Sequence, residues 1–159
     1  MCRKLVAYFS ATGTTANVAE KLADAIDADI FEIEPKQLYT GLDLNWKDSK
    51  SRSSLEMADG SSRPAIAHKC THMDDYEFIY IGFPIWWYQV PMIINTFWES
   101  YNLNGKTIIP FATSGGSNMD KGNASLSESC IGAKLCEGNV LPSSISLQDL
   151  EDWANSVNQ

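Results

Sequence analysis

The chain has 159 residues, 44% of them hydrophobic and 20% charged, the size and mix expected of one globular domain with a core of its own. A formal net charge of -8 gives a negative surface that repels nucleic acid and anionic membrane and steers basic partners toward it. No apolar run is long enough to cross a membrane, and Met1-Cys2-Arg3-Lys4 leads into Leu5-Val6 without a signal-peptide cleavage site, so a cytoplasmic domain over residues 1–159 is expected.

Leu5 to Phe9 is an apolar run without polar alternation, the pattern of a strand buried on both faces of a parallel sheet. From Thr14 the spacing changes to Val18, Leu22 and Ile26, flanked by alanines, which is the period of a helix packed on that sheet. Ile30-Phe31-Glu32-Ile33-Glu34 alternates apolar and acidic residues before Pro35 and predicts an edge strand with one solvated side. Lys36 to Asp75 is then a long crossover, with a polar helix expected within Tyr39 to Ala58 and a turn at Gly60 to Pro64.

Glu77 to Phe83 predicts a third strand, and Pro91 opens a helix in which Ile93, Phe97 and Tyr101 share a face beside Ile94 and Trp98. Asn104-Gly105 turns the chain into a fourth strand, Lys106 to Thr113, where Pro110 predicts a bulge or an early end because proline cannot donate to a central ladder. A weak helix within Lys121 to Ile131, a short fifth strand near Leu135 to Leu141 and a closing helix from Asp149 to Val157 follow, the last with Ser146 and Asp149 as a capping box. Strands alternating with helices imply an open, mostly parallel α/β sheet covered on both faces, with ligands bound beyond the carboxyl ends of the strands.

Three loops fall at that end. Ser10-Ala11-Thr12-Gly13-Thr14-Thr15 brings backbone N–H groups and hydroxyls to the positive end of a helix, an anion cradle without the lysine of a P-loop or the three glycines of a dinucleotide fingerprint. Gly82 to Pro91 holds Pro84-Ile85-Trp86-Trp87-Tyr88, whose consecutive rings suit either a flat aromatic ligand or a protein partner. Thr113-Ser114-Gly115-Gly116-Ser117 offers hydroxyls and a backbone that can approach a ligand edge. Cys2, Cys70, Cys130 and Cys136 form no CxxC pair and are expected as free thiols, and His68, Cys70 and His72 lack a fourth ligand nearby, so no metal site is expected.

These loops, SATGTT, GFPIWWYQVP and FATSGGS in that order, resemble those of the flavodoxin-like family, in particular its short bacterial members, over nearly the whole chain. The resemblance implies a three-layer sandwich with a five-stranded parallel sheet in the order 2-1-3-4-5, and FMN as cofactor. It implies that Ser10, Thr12, Gly13, Thr14 and Thr15, with Ala11 between them, hold the FMN phosphate. It further implies that Pro84 to Tyr88 border the isoalloxazine with Trp86 or Trp87 packed on it, and that Thr113 to Ser117 contact the pyrimidine edge.

None of the loops carries a His, Cys or carboxylate as an obvious catalytic group, so the chemistry belongs to the cofactor, and an electron-transfer protein with redox partners bearing basic docking surfaces is expected. Many family members have a glycine in the loop beside flavin N5, where a peptide flips on reduction. Ile85-Trp86-Trp87 has none, so a flip costs more, and an FMN-dependent NAD(P)H oxidoreductase acting on quinones or similar small substrates is the alternative on the same fold.

Overall fold

Three apolar runs of the sequence become the middle of one parallel sheet. The computed structural model describes residues 4–10, 13–37, 39–45, 47–59, 63–70, 73–85, 91–101, 103–113, 133–136, 139–142 and 144–157. In chain order its elements are β1 (Lys4–Tyr8), α1 (Thr14–Ile26), β2 (Asp29–Glu32), α2 (Arg52–Ala58), β3 (Phe78–Pro84), α3 (Met92–Glu99), β4 (Thr107–Thr113), β5 (Lys134–Leu135), β6 (Asn139–Val140) and α4 (Leu147–Val157), with one 3-10 turn at Met73–Asp75 before β3.

All the pairings are parallel and the strand order is β2-β1-β3-β4-β5, with β6 also beside β4. The expected order 2-1-3-4-5 is therefore observed, its fifth strand being divided into two short stretches. The lack of polar alternation has a direct cause, since each central strand is covered on both sides. Leu5, Ala7 and Phe9 of the β1 run join Ile79, Ile81, Ile108 and Ala112 under α3, where Ile93, Phe97 and Trp98 fill the same layer. Val6 and Tyr8 face the other way with Tyr80, Ile109 and Phe111, under Val18, Ala19 and Leu22 of α1 and Leu150 and Ala154 of α4. The result is three layers, with α1 and α4 against each other on one face and α3 on the other.

Among the described residues, edge strand β2 pairs only with β1. Its period of two puts Phe31 and the following Ile33 on the α3 side and leaves Ile30 45% exposed, so the apolar side of the alternation is Phe31 and Ile33. The predicted closing helix begins two residues early, at Leu147, and Ser146 does cap it: Asp149 N donates to Ser146 Oγ at 3.1 Å.

Pro110 corrects an expectation. Strand β4 runs through it without a bulge, with Ile81 and Pro110 in register between Tyr80–Ile109 and Gly82–Phe111. Lys106, Ile108 and Ala112 all point their carbonyl oxygens at the fifth-strand side, accepting from Lys134, Cys136 and Leu141 N at 2.8–2.9 Å. A residue of the same parity, Pro110, turns its missing N–H the same way, and the neighbouring strand is interrupted at that point. Three chain positions separate β5 from β6 where two separate Ile108 from Phe111, so the irregularity that proline demands is taken up by its neighbour.

The crossover does hold a helix within Tyr39 to Ala58. Its helix is only Arg52–Ala58, with Ser51 as N-cap accepting from Ser54 N. Before it come turns stabilised by side chains, as where Thr40 N donates to Asp43 Oδ2 and Asp43 N donates to Thr40 Oγ1. An antiparallel bridge between Pro35 and Ile66 closes the excursion at its base. The expected helix within 121–131 and most of the turn at 60–64 lie outside the described residues. No helix among the described residues is long and apolar enough to cross a membrane.

Candidate functional site

The chain reverses between β2 and β3 about the common neighbour β1, which opens a crevice above the carboxyl ends of β1 and β3. Phe9 N donates to Gly82 O at 2.9 Å, so the chain remains fastened to β3 as it leaves β1. Ser10 Oγ then accepts from Gly13 N at 2.9 Å, folding the loop back on itself.

Gly13 is the N-cap of α1 with φ of +94°, a left-handed conformation that side chains disfavour, and an added Cβ would meet nothing within 4 Å. Among the described residues, the space beside it is open. Among the described residues no side chain caps the helix, and its first turn carries no acidic residue, so the positive end of the helix dipole suits an acceptor there. Thr14 is exposed there, whereas Thr15 is only 1% exposed. Ala11 and Thr12 lie outside the described residues.

The second and third loops start from adjacent strand ends. Pro84 and Thr113 are in register, and Ile85 N donates to Thr113 O at 3.1 Å. Ile85 packs against the α3-side core, half-buried. Thr113 was expected at a ligand edge, and its side chain is 5% exposed and turned inward, with Oγ1 2.7 Å from Thr15 Oγ1. The structure therefore brings Ser10, Gly13, Thr14, Thr15, Pro84, Ile85 and Thr113 to one end of the sheet. Trp86, Trp87, Tyr88 and Ser114, Gly115, Gly116 and Ser117 lie outside the described residues.

Sequence reasoning missed a contribution from the crossover. The Tyr39 ring packs edge-on to Phe9 with centroids 5.5 Å apart, next to the first loop, and its Oη donates to Glu56 at 2.5 Å. Arg52 stands 3.9 Å over the same ring, donates from Nη1 to Gln37 O at 2.6 Å and pairs with Glu56 at 2.9 Å. Burial, and then the hydrogen bond to Glu56, push the Tyr39 phenol well above its ordinary range. Tyr8, at the end of β1, is raised by burial and then by the Glu32 and Glu20 carboxylates. Only a tyrosine followed by an i,i+4 Arg–Glu pair hinted at this cluster, and such pairs are common on exposed helices.

This end of the sheet can hold an anion with neutral donors. Among the described residues no group of three or more His, Cys, Asp or Glu is placed to hold a metal ion, and His68 Nε2 lies 3.2 Å from Glu34 Oε2. Cys70 and Cys136 are both partly buried.

Comparison with known proteins gives the same architecture. A search of curated proteins finds no match. Among solved structures the chain is similar to an assigned flavoprotein from Bacteroides eggerthii, with 43% identity and a TM-score of 0.95 over 100% of this chain and 99% of that one. It is similar to another from Bacteroides uniformis, with 47% identity and a TM-score of 0.92 over 97% and 98%. A flavoprotein from Lactobacillus acidophilus, solved in complex with FMN, shares the fold at 22% identity and a TM-score of 0.72 over 100% of both chains. The model of a flavodoxin family matches residues 3–157, and the chain belongs to that family.

Proposed function

We propose that the protein binds one FMN at the carboxyl ends of β1, β3 and β4 and serves as an electron-transfer flavodoxin. The observation that carries this reading is the start of α1: a left-handed Gly13 with no described atom within 4 Å of an added Cβ, no first-turn carboxylate, no cap from a described side chain, and Ser10 folding the loop beneath it. A dianionic phosphate suits that end despite the net charge of -8, because the helix terminus supplies roughly half a unit of positive charge locally. The FMN complex of the Lactobacillus acidophilus flavoprotein, which shares the fold, supports the same cofactor.

In this reading Ser10 to Thr15 hold the phosphate, Pro84 to Tyr88 flank the ring system, and the Thr113 to Ser117 loop borders its edge. Bound there, FMN would supply the electron-accepting chemistry, while the chain binds, orients and shields it. Basic redox partners are directed to the sheet body. The crossover from Lys36 to Asp75 holds Lys36, Lys47, Lys50, Arg52, Arg63 and Lys69 against Asp43, Asp48, Glu56, Asp59, Asp74 and Asp75, so it is balanced and the excess negative charge lies elsewhere in the cytoplasmic protein we envisage.

A second reading, an NAD(P)H-dependent oxidoreductase, is favoured by the absence of glycine in Ile85-Trp86-Trp87. Mixing FMN-loaded protein anaerobically with NADH or NADPH separates the two. A carrier keeps its oxidised flavin absorbance over minutes, and prompt bleaching by either nucleotide establishes the reductase. A chain that retains no FMN sinks both.

A further inference from the structure

The buried link between Thr15 and Thr113 joins residues 98 apart in sequence, one in the first turn of α1 and the other at the last position of β4. Thr113 also accepts Ile85 N through its carbonyl oxygen and faces Pro84 in register. It is thus tied to the start of all three loops, through its side chain to the first, its backbone to the second, and the chain itself to the third.

Packing alone does not require a hydroxyl there. The preceding residues of β4 are Ile108, Ile109, Pro110, Phe111 and Ala112, all buried, and valine has nearly the same shape as threonine. The hydroxyl matters through its proton. Each threonine has one O–H to donate, and only one of the two protons lies between the oxygens. If Thr15 donates to Thr113, nothing remains on Thr15 for an anion. If Thr113 donates, the Thr15 proton is released toward whatever lies at the N-terminus of α1. A phosphate dianion accepts and never donates, so it selects the second polarity, and the shared hydrogen bond strengthens the outward one.

We propose that Thr113 is a positioning residue that orders the Thr15 hydroxyl as a phosphate donor and so couples the phosphate end of the site to the loop leaving β4, an inference that rests on the FMN reading above. Its effect belongs to the phosphate and not to the ring system. The test is titration of the apo-protein with FMN and, separately, with riboflavin, which lacks the phosphate, followed by quenching of flavin fluorescence.

Thr113→Val is expected to weaken FMN about fivefold, the scale of one such hydrogen bond, and to leave riboflavin affinity unchanged. Thr113→Ser is expected to recover most of the FMN affinity. In a Thr15→Val background, Thr113→Val is expected to add nothing further, because its route to the phosphate is already gone. Equal losses for FMN and riboflavin, full additivity with Thr15→Val, or no loss at all would each overturn the proposal. The thermal midpoint of the apo-protein reports folding, and Thr113→Ala carries the same prediction if the valine variant does not fold. An unaltered chain that binds neither flavin removes the FMN reading and this inference with it. An unaltered chain that does prefer FMN, with Thr113→Val keeping the full preference, removes this inference alone.

Discussion

The sheet body and the crossover of residues 36–75 are held together by opposite means. In the body, strands with both faces buried and three helices pack apolar side chains, with Phe97, Trp98, Phe83 and Phe111 among the largest fully buried. In the crossover, Leu42 and Leu55 are 83% and 57% exposed, and the segment keeps its shape through Arg52 on Gln37 and Glu56, Thr40 with Asp43, and Ser51 on Ser54. Apolar burial is additive and periodic, so it gives a global scaffold. Polar contacts are directional and local, so they shape one excursion without setting the stability of the whole. Tyr39 is where the two meet, with its ring against Phe9 of the body and its hydroxyl in the polar cluster.

That contrast can be broken most readily in the body. Phe97, fully buried and in contact with the rings of Phe31, Trp98 and Tyr101, leaves a large void when truncated. Phe97→Ala should lower the unfolding free energy by about 4 kcal/mol in chemical denaturation, and a loss below about 1 kcal/mol would show that the core can collapse around the gap.

Gly82 should come next. A Cβ there would lie 2.3 Å from the Phe111 ring, which itself is wedged against Trp153. Gly82→Ala should cost about 2 kcal/mol by overpacking, and paired Gly82→Ala/Phe111→Leu should recover part of it. No recovery would place the strain in the backbone.

Arg52→Met should act mainly on the crossover, with local opening favoured by about 1 kcal/mol. It is expected as faster amide hydrogen exchange within the described part of 37–59, with little change in the global denaturation midpoint. A global shift as large as that of Phe97→Ala would mean that the crossover belongs to the cooperative core.

The smallest effect is alkaline. The Tyr39 phenol is raised above its ordinary 10.0 by burial first and by the hydrogen bond to Glu56 second. An opened or unfolded chain therefore loses that proton at lower pH than the folded one. The stabilising contribution is intact below pH 10.0 and falls as pH rises beyond it. Tyr39→Phe should lessen the alkaline decline in stability, although Tyr8 and Tyr101, also raised chiefly by burial, keep part of it. An unchanged decline would assign it to those two residues.

Legibility in the sequence follows the same division. The runs at Leu5 to Phe9, Glu77 to Phe83 and Lys106 to Thr113 were readable as strands because burial on both faces removes all polar alternation. Ser146 was readable as a cap because one local hydrogen bond defines it. The extent of α2 was not, since the residues ahead of it are polar and turn through side-chain contacts with no period. Nor was the passage of β4 through Pro110, because a strand's tolerance of proline depends on which neighbour its nitrogen faces.

The alternation of strands and helices, the apolar faces of α1 and α3 and the SATGTT loop with its glycine were determined by the sequence itself, since they depend on spacing and on one residue's conformational range. Only the tertiary structure decided that Thr15 meets Thr113, that Tyr39 closes on Phe9, and that the fifth strand breaks opposite a proline. Each of these joins residues far apart in the chain, where the partner is selected by the register of parallel strands and the docking of whole elements, and no local pattern records either.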